Sequence, residues 1–205
     1  YLVKAGHDVT AFDNLTTGNR SNLDDSCGYI NGDVRNFSQL TQAMAGKEAI
    51  VHLAAYTSVP DSFDDSELCF DTNVQGTLNV LDAAVEQGAA RVLFASSSAV
   101  YADEPAGQKC ELMCPEPSSP YAVSKLEGEH LLQWYQQMKG LNTTAFRFFN
   151  VYGPKQDATS PYAAVIPIFV RQALAGEAMT ICGSGEQTRD FVHVADVAQA
   201  HLCAL

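Results

Sequence analysis

An α/β fold built on a doubly wound parallel sheet follows from three features of the 205-residue sequence. Continuous apolar runs at residues 49–55 and 91–95 suit strands buried on both faces, as the strands of a parallel sheet are. Between them, residues 66–87 place Leu68, Val74, Leu78, Leu81, Ala84 and Val85 at helical intervals and end at Gly88. Strand and helix signals then alternate along most of the chain, the pattern of crossover helices covering both faces of one sheet.

Taken in order, residues 1–6 read as the end of a helix stopped by Gly6, and without an initiator methionine the expectation is that more chain lies upstream. The β-rich residues 7–12 run into Asp13-Asn14 and a loop carrying Thr16, Thr17, Gly18 and Asn19. Tyr29-Ile30 lead to Gly32-Asp33, a helix follows over 37–44, and the 49–55 run completes a strand, helix, strand unit. Ser118-Ser119-Pro120 opens a helix to about Met138, with Pro120 suited to a first-turn position and Gly140 to the stop. Residues 143–149 return to the sheet. Beyond Gly153-Pro154 come a helix around 165–174, short β pieces at 179–181 and 191–193, and a last helix from Ala195. The organisation expected is a sheet domain over 1–150 and the beginning of a smaller lobe over 151–205. Residues 102–119, with Pro105, Pro115 and Pro117, read as an excursion over the ligand-binding edge and not as a domain boundary.

With 46% hydrophobic and 18% charged residues, the chain has enough apolar material for one sizeable core and is neither disordered nor fibrous. A formal net charge of -12 argues against a general nucleic-acid or anionic-membrane binder, so an anionic ligand has to meet local donors. No apolar run approaches the roughly 20 residues that span a bilayer. Cys27, Cys69, Cys110, Cys114, Cys182 and Cys203 are spread through a chain too large to need disulfide staples. They fit a reducing, cytoplasmic setting and read mostly as buried small hydrophobes. Cys110 and Cys114 lack a matching His/Cys pair, so no metal site is expected.

The chemistry centres on Tyr121 and Lys125, one turn apart on the same face of the predicted helix. An ammonium beside a phenol stabilises the phenolate and lowers a pKa that starts near ~10, making a proton acceptor usable near neutrality. Taken alone, the pair also describes an aromatic residue and a solvated cation on an ordinary helix. The strand over 91–95 leads into Ser96-Ser97-Ser98-Ala99-Val100-Tyr101, however, which sets hydroxyls at the carboxyl edge of a parallel sheet, where open α/β folds bind ligands. Ser97 is open to two readings here, a reacting hydroxyl or a strand-end cap.

These residues sit among Phe12-Asp13-Asn14-Leu15, Gly32-Asp33-Val34, His52-Leu53-Ala54-Ala55, Asn73-Val74-Gln75-Gly76-Thr77, Ser119-Pro120-Tyr121, Arg147-Phe148-Phe149-Asn150 and residues 185–191. In this order the blocks resemble the extended short-chain dehydrogenase/reductase family, among its NAD-dependent epimerase/dehydratase members, and are most similar to UDP-glucose 4-epimerase-like sugar-nucleotide epimerases. The resemblance implies a Rossmann-like sheet lacking its first strand and the G-x-x-G-x-x-G turn that cradles a pyrophosphate at a helix N-terminus. It implies NAD as cofactor. Asp13 and Asn14 then meet the adenosine ribose, with Arg20 leaving a 2'-phosphorylated cofactor in view. Asp33 and Val34 lie beside the adenine, Leu53, Ala54 and Ala55 lie along the pyrophosphate and nicotinamide ribose, and Asn73, Tyr121, Lys125 and Phe149 also contact the cofactor. Asn73 either satisfies backbone groups inside its helix or stands near the active site.

Ser97, Tyr121 and Lys125 match the family's catalytic residues. Ser97, Ser98, Tyr121, Asn150, Ala164, Val165, Thr180, Ile181, Cys182 and Arg189 match positions that grip the nucleotide diphosphate and sugar. Arg189 is the best phosphate partner, because its fork of donors suits phosphate oxygens. Related 4,6-dehydratases carry Asp-Glu after the catalytic hydroxyl and related decarboxylases keep the Glu, whereas this chain has Ser98-Ala99. Without a second acid/base, oxidation and re-reduction at carbon 4 of a UDP-hexose is the simpler chemistry. The alternatives are another sugar-nucleotide reaction of the family or a non-catalytic NAD-binding role. The family also implies a homodimer paired through the helices over 66–87 and 121–138.

Overall fold

The computed structural model describes residues 1–101, 107–158, 164–181 and 183–205, and they form an α/β protein with parallel sheets. Its strands are β1 (Thr10–Asp13), β2 (Gly28–Asn31), β3 (Ala49–His52), β4 (Arg91–Ser97), β5 (Asn142–Phe148), β6 (Asn150–Tyr152) and β7 (Phe191–His193). The helices are α1 (Phe37–Met44), α2 (Asp61–Asp64), α3 (Ser66–Phe70), α4 (Gly76–Gln87), α5 (Pro120–Lys139), α6 (Val165–Ala175) and α7 (Val194–Ala204). They pack as two compact units, Tyr1–Phe148 with His201–Leu205, and Phe149–Ala200.

The expected single sheet is divided. β1 pairs with β2, β3-β4-β5 form a second sheet and β6-β7 a third, all in parallel register. Among the described residues, β1 and β3 each hydrogen-bond to a strand on one side only. In the first unit the core gathers Leu40 and Met44 of α1, Val80, Leu81 and Ala84 of α4, Val92 and Phe94 of β4, and Leu132 and Tyr135 of α5. Leu81, Val92 and Phe94 are essentially solvent-free, which explains why β4 reads as apolar on both faces.

α5 follows its local signals. Ser119 accepts the Ala122 N–H, Pro120 occupies the first turn, and Gly140 adopts the left-handed conformation (φ 70°) that ends the helix. Gly128 lets the helix approach the sheet, because a Cβ there would stand 2.5 Å from Cζ of Phe94. Phe94 is 1% exposed and has no room to yield. Gly128→Ala is therefore expected to destabilise the fold by about 1–3 kcal/mol, the usual cost of overpacking. Urea unfolding measures this, and an unchanged midpoint would contradict the close approach.

Several boundaries differ from the sequence reading. The 49–55 run leaves the sheet after His52, so Leu53, Ala54 and Ala55 project beyond the strand. The continuous 66–87 helix is α3 and α4 joined by a π turn over Asp71–Gln75. The six-residue step from Leu68 to Val74, against the three and four of a regular helix, is its trace in the sequence. Residues 179–181 form no strand, and a separate strand, β6, follows β5 in the stretch just before Gly153-Pro154. Of the described cysteines only Cys69 is fully buried; Cys110, Cys114 and Cys203 are exposed, because loop and helix surfaces hold them.

In the second unit, β6 and β7 bring Asn150 to Asp190, whose carbonyl accepts from the Asn150 backbone N–H at 3.1 Å and from Nδ2 at 2.9 Å. Tyr152 packs edge-on against Phe191 and His193. No helix among the described residues is long and apolar enough to cross a membrane.

Candidate active site

β4 ends in Ser97, whose hydroxyl oxygen accepts the Ala99 N–H at 3.1 Å and so caps the short 3₁₀ turn Ser98–Val100. The same side chain lies near the phenol of Tyr121 in the first turn of α5 and acts to lower its pKa. Capping serine and Tyr121 partner are thus one residue in two roles. The backbone of Tyr121 is held at both ends. Its N–H donates to Ser62 Oγ at 3.2 Å, and its carbonyl accepts from Ser124 Oγ at 2.7 Å.

Lys125 lies one turn further along the same face and is 3% exposed. Nζ donates to the Ala95 carbonyl at 2.9 Å and stands 5.1 Å from the ring centre of Phe94 and 5.8 Å from that of Tyr121. Burial brings its amine down to about 8. The sequence reading expects the ammonium to lower the Tyr121 phenol, but the balance differs. Burial raises that phenol above its ordinary 10, and the opposing influence is the Ser97 hydroxyl. Lys125 directs its amine at the β4 carbonyl.

Asn73 sits in the π turn, 2% exposed, with every amide group engaged. Oδ1 accepts the Tyr56 N–H at 2.7 Å; Nδ2 donates to the Tyr56 carbonyl at 3.0 Å and to Ser124 Oγ at 2.9 Å. One side chain therefore ties the segment after β3 to the helix turn that carries Tyr121. Asn73 faces inward together with Cys69 and Thr77, which are buried four residues to either side of it.

His52, to which sequence reasoning assigned no role, lies behind Lys125. Thr77 Oγ1 donates to the Asn73 carbonyl at 2.5 Å, so the 3.0 Å contact between Thr77 Oγ1 and His52 Nε2 has the ring as donor. Burial, with Lys125 adding to it, brings this imidazole down to about 3. It is neutral at physiological pH. Its signal was present in the His52-Leu53-Ala54-Ala55 block, but period and spacing do not reveal its neighbours.

The candidate cofactor residues gather at the carboxyl ends of β1, β2 and β3. Asp13 is exposed, and Oδ1 accepts the Leu15 N–H at 2.6 Å, holding Leu15 in the left-handed region (φ 57°). Among the described residues its Oδ2 accepts no hydrogen bond. Asn14 Nδ2 reaches Asp33 Oδ2 at 3.1 Å, linking the ends of β1 and β2. Arg35 clasps the same carboxylate through Nε at 3.0 Å and Nη2 at 2.7 Å, which holds it well below the usual carboxylate range. Asp33 is therefore already partnered on both oxygens. The Val34 side chain is buried in the core and its carbonyl accepts from Asn79, leaving its backbone N–H as the group suited to a ligand. Leu53 is 56% exposed, an uncovered apolar surface at a sheet end. The Arg20 guanidinium stacks 4.9 Å from the ring centre of Tyr29, whose hydroxyl donates to the Asp13 carbonyl.

This donor set fits a dinucleotide in part. Asp13 suits a ribose diol, Leu53 and Ala54 an aromatic or ribose face, and Lys125 a ribose hydroxyl. A pyrophosphate cradle of the G-x-x-G-x-x-G kind is not among the 205 residues.

The remaining substrate candidates belong to the second unit. Phe149 opens it and Asn150 bonds Asp190. Ala164 and Val165 begin α6, and Thr180 and Ile181 are exposed. Arg189 is exposed, with Nη1 donating to the Thr188 carbonyl at 2.8 Å. Cys182 lies outside the described residues.

The NAD dependent epimerase/dehydratase family model matches residues 1–205. The chain is 37% identical over 207 residues to a putative UDP-glucose 4-epimerase of Methanocaldococcus jannaschii, covering 100% of this chain and 67% of that protein. It is 34% identical to a UDP-N-acetyl-alpha-D-glucosaminuronate decarboxylase of Bacillus cytotoxicus, covering 100% of this chain and 65% of that one. The crystal structure of Thermus thermophilus UDP-glucose 4-epimerase in complex with NAD superposes with a TM-score of 0.91 at 37% identity, over 100% of this chain and 68% of that one. The chain thus spans about two thirds of the length of the relatives it matches.

Proposed function

The chain belongs to the NAD dependent epimerase/dehydratase family, and from that premise we propose that the protein inverts carbon 4 of a UDP-hexose through a transient 4-ketose. The observation that carries this reading is the group made by Ser97, Tyr121 and Lys125 at the β4 edge, followed by Ser98-Ala99 where a second acid/base would stand for elimination. The relatives named as 4-epimerases support it.

NAD, when bound, supplies a hydride acceptor that becomes a hydride donor, together with a positive charge at its nicotinamide. Asp13 holds the adenosine ribose, and the buried ammonium of Lys125 offers donors to the other ribose. Ser97 donates to the sugar 4-oxygen and Tyr121 accepts its proton. Because burial holds the Tyr121 phenol high, positive charge at the site and the Ser97 hydroxyl are what bring its proton-accepting form into range. Tyr121 returns the proton to the same oxygen after the 4-ketose has turned over and been reduced on its other face. Asn150 and Arg189 bind the nucleotide diphosphate.

Incubating the complete protein with UDP-glucose tests the proposal by product identity. UDP-galactose, or the corresponding pair of N-acetyl sugars, is expected without net NADH. A 4-keto-6-deoxy sugar or a pentose as the product would overturn it.

A further inference from the structure

A second group of buried polar residues lies behind the reacting pair. Ser96 precedes Ser97 on β4 and is 3% exposed; its register partner on β5 is Arg147. Both side chains converge on Glu129 of α5. Ser96 Oγ donates to Glu129 Oε1, and Arg147 closes a fork through Nε at 2.9 and 3.2 Å and Nη2 at 2.7 Å. The Arg147 and Glu129 side chains are only 16% and 14% exposed. The guanidinium also lies 4.7 Å from the ring centre of Tyr101, which closes the 3₁₀ turn that Ser97 caps.

Tyr121, Lys125 and Glu129 recur on consecutive turns and share one face of α5. Lys125 grips β4 at Ala95, and Glu129 grips β4 at Ser96 and β5 at Arg147. Ser97 and Tyr121 come from different elements, and attachments of this kind, added to the packing of α5 on the sheet, fix their separation. We propose that Glu129, Arg147 and Ser96 form a positioning clamp that sets the helix on the sheet edge so that Ser97 and Tyr121 meet. None of the three needs to touch substrate. A planar fork suits the task, because two parallel charge-assisted hydrogen bonds fix an angle as well as a distance. The catalytic half of this inference rests on the epimerase reading; the geometric half does not.

Two variants of the complete protein test it. Glu129→Gln keeps the shape and removes the charge, and Ser96→Ala removes one hydrogen bond and leaves the ion pair intact. Turnover is expected to fall by about ten-fold to a hundred-fold in the first, the range for a misplaced reacting group, with KM within about two-fold. In the second it falls by about three-fold, the range for one hydrogen bond. The discriminating readout is the titration of the Tyr121 phenol, taken as the ultraviolet difference between each variant and the same variant carrying Tyr121→Phe. Loss of the Ser97 contact moves this midpoint up. Removal of the Glu129 charge alone moves it down, so the direction separates positioning from simple charge loss. Cys69 and Lys125, the other titratable groups near the ring, are unchanged throughout.

An unmoved or lowered midpoint in folded Ser96→Ala and Glu129→Gln overturns the clamp, whatever the rates. Ser96→Ala alone decides if Glu129→Gln does not fold. A raised midpoint in a protein that makes no epimerised sugar upholds the clamp and sinks the epimerase reading.

Discussion

Tyr121→Phe is expected to lower turnover by about two to four orders of magnitude, the contribution typical of a positioned proton acceptor. The fold should tolerate it. The ring, the N–H donated to Ser62 and the carbonyl bonded by Ser124 all remain, and the contact with Ser97 is lost. Loss of that one contact costs about 1 kcal/mol, since the Ser97 oxygen keeps the Ala99 N–H. Steady-state kinetics with a UDP-hexose, together with urea unfolding, separate the two quantities. A turnover loss smaller than ten-fold with unchanged stability would remove Tyr121 from the proton-transfer role.

Lys125→Met is expected to lower activity and to change stability by an amount that depends on pH. Turnover is expected to fall by about ten-fold or more, since a buried ammonium beside the reacting phenol is replaced by an apolar chain of similar length. The stability effect follows from an amine that titrates at 10.5 when unfolded and at about 8 in the fold. Below 8 both states are protonated and burial of the charge exacts its full cost. Between about 8 and 10.5 the unfolded state binds more protons, so the stability of the parent rises with pH. The whole effect is about 3 kcal/mol, since one unit corresponds to 1.36 kcal/mol. Loss of the bond to the Ala95 carbonyl offsets part of it at neutral pH. The stability of Lys125→Met relative to the parent is thus expected to decline from pH 7 to pH 10. Urea midpoints at the two pH values measure this, and a constant difference would contradict an ammonium held against its desolvation.

Much of this molecule is legible in one dimension because its signals are local. Helix α5 is announced by Ser119, Pro120 and Gly140, and α1 spans the residues that its apolar period assigns to it. β4 is a continuous apolar run because it is buried on both faces, and Gly88 marks the end of α4 by the left-handed turn that it adopts. Tyr121 and Lys125 share a helix face by spacing alone, and Ser97 stands at a strand end by sequence alone.

Only the tertiary structure decided what those groups meet. No period or spacing places the Ser97 hydroxyl against the Tyr121 phenol, turns Lys125 toward the Ala95 carbonyl, or brings Arg147 and Ser96 to Glu129, since each pair joins a helix to a strand beyond the reach of local periodicity. Burial shifts the lysine, tyrosine and histidine in directions that composition cannot supply. The reason is physical. Backbone conformation responds to nearest neighbours, so sequence alone determined the elements and the residue types at their ends. Electrostatics and hydrogen bonding respond to whatever lies within a few ångströms and to the exclusion of water, and those are properties of the packed fold.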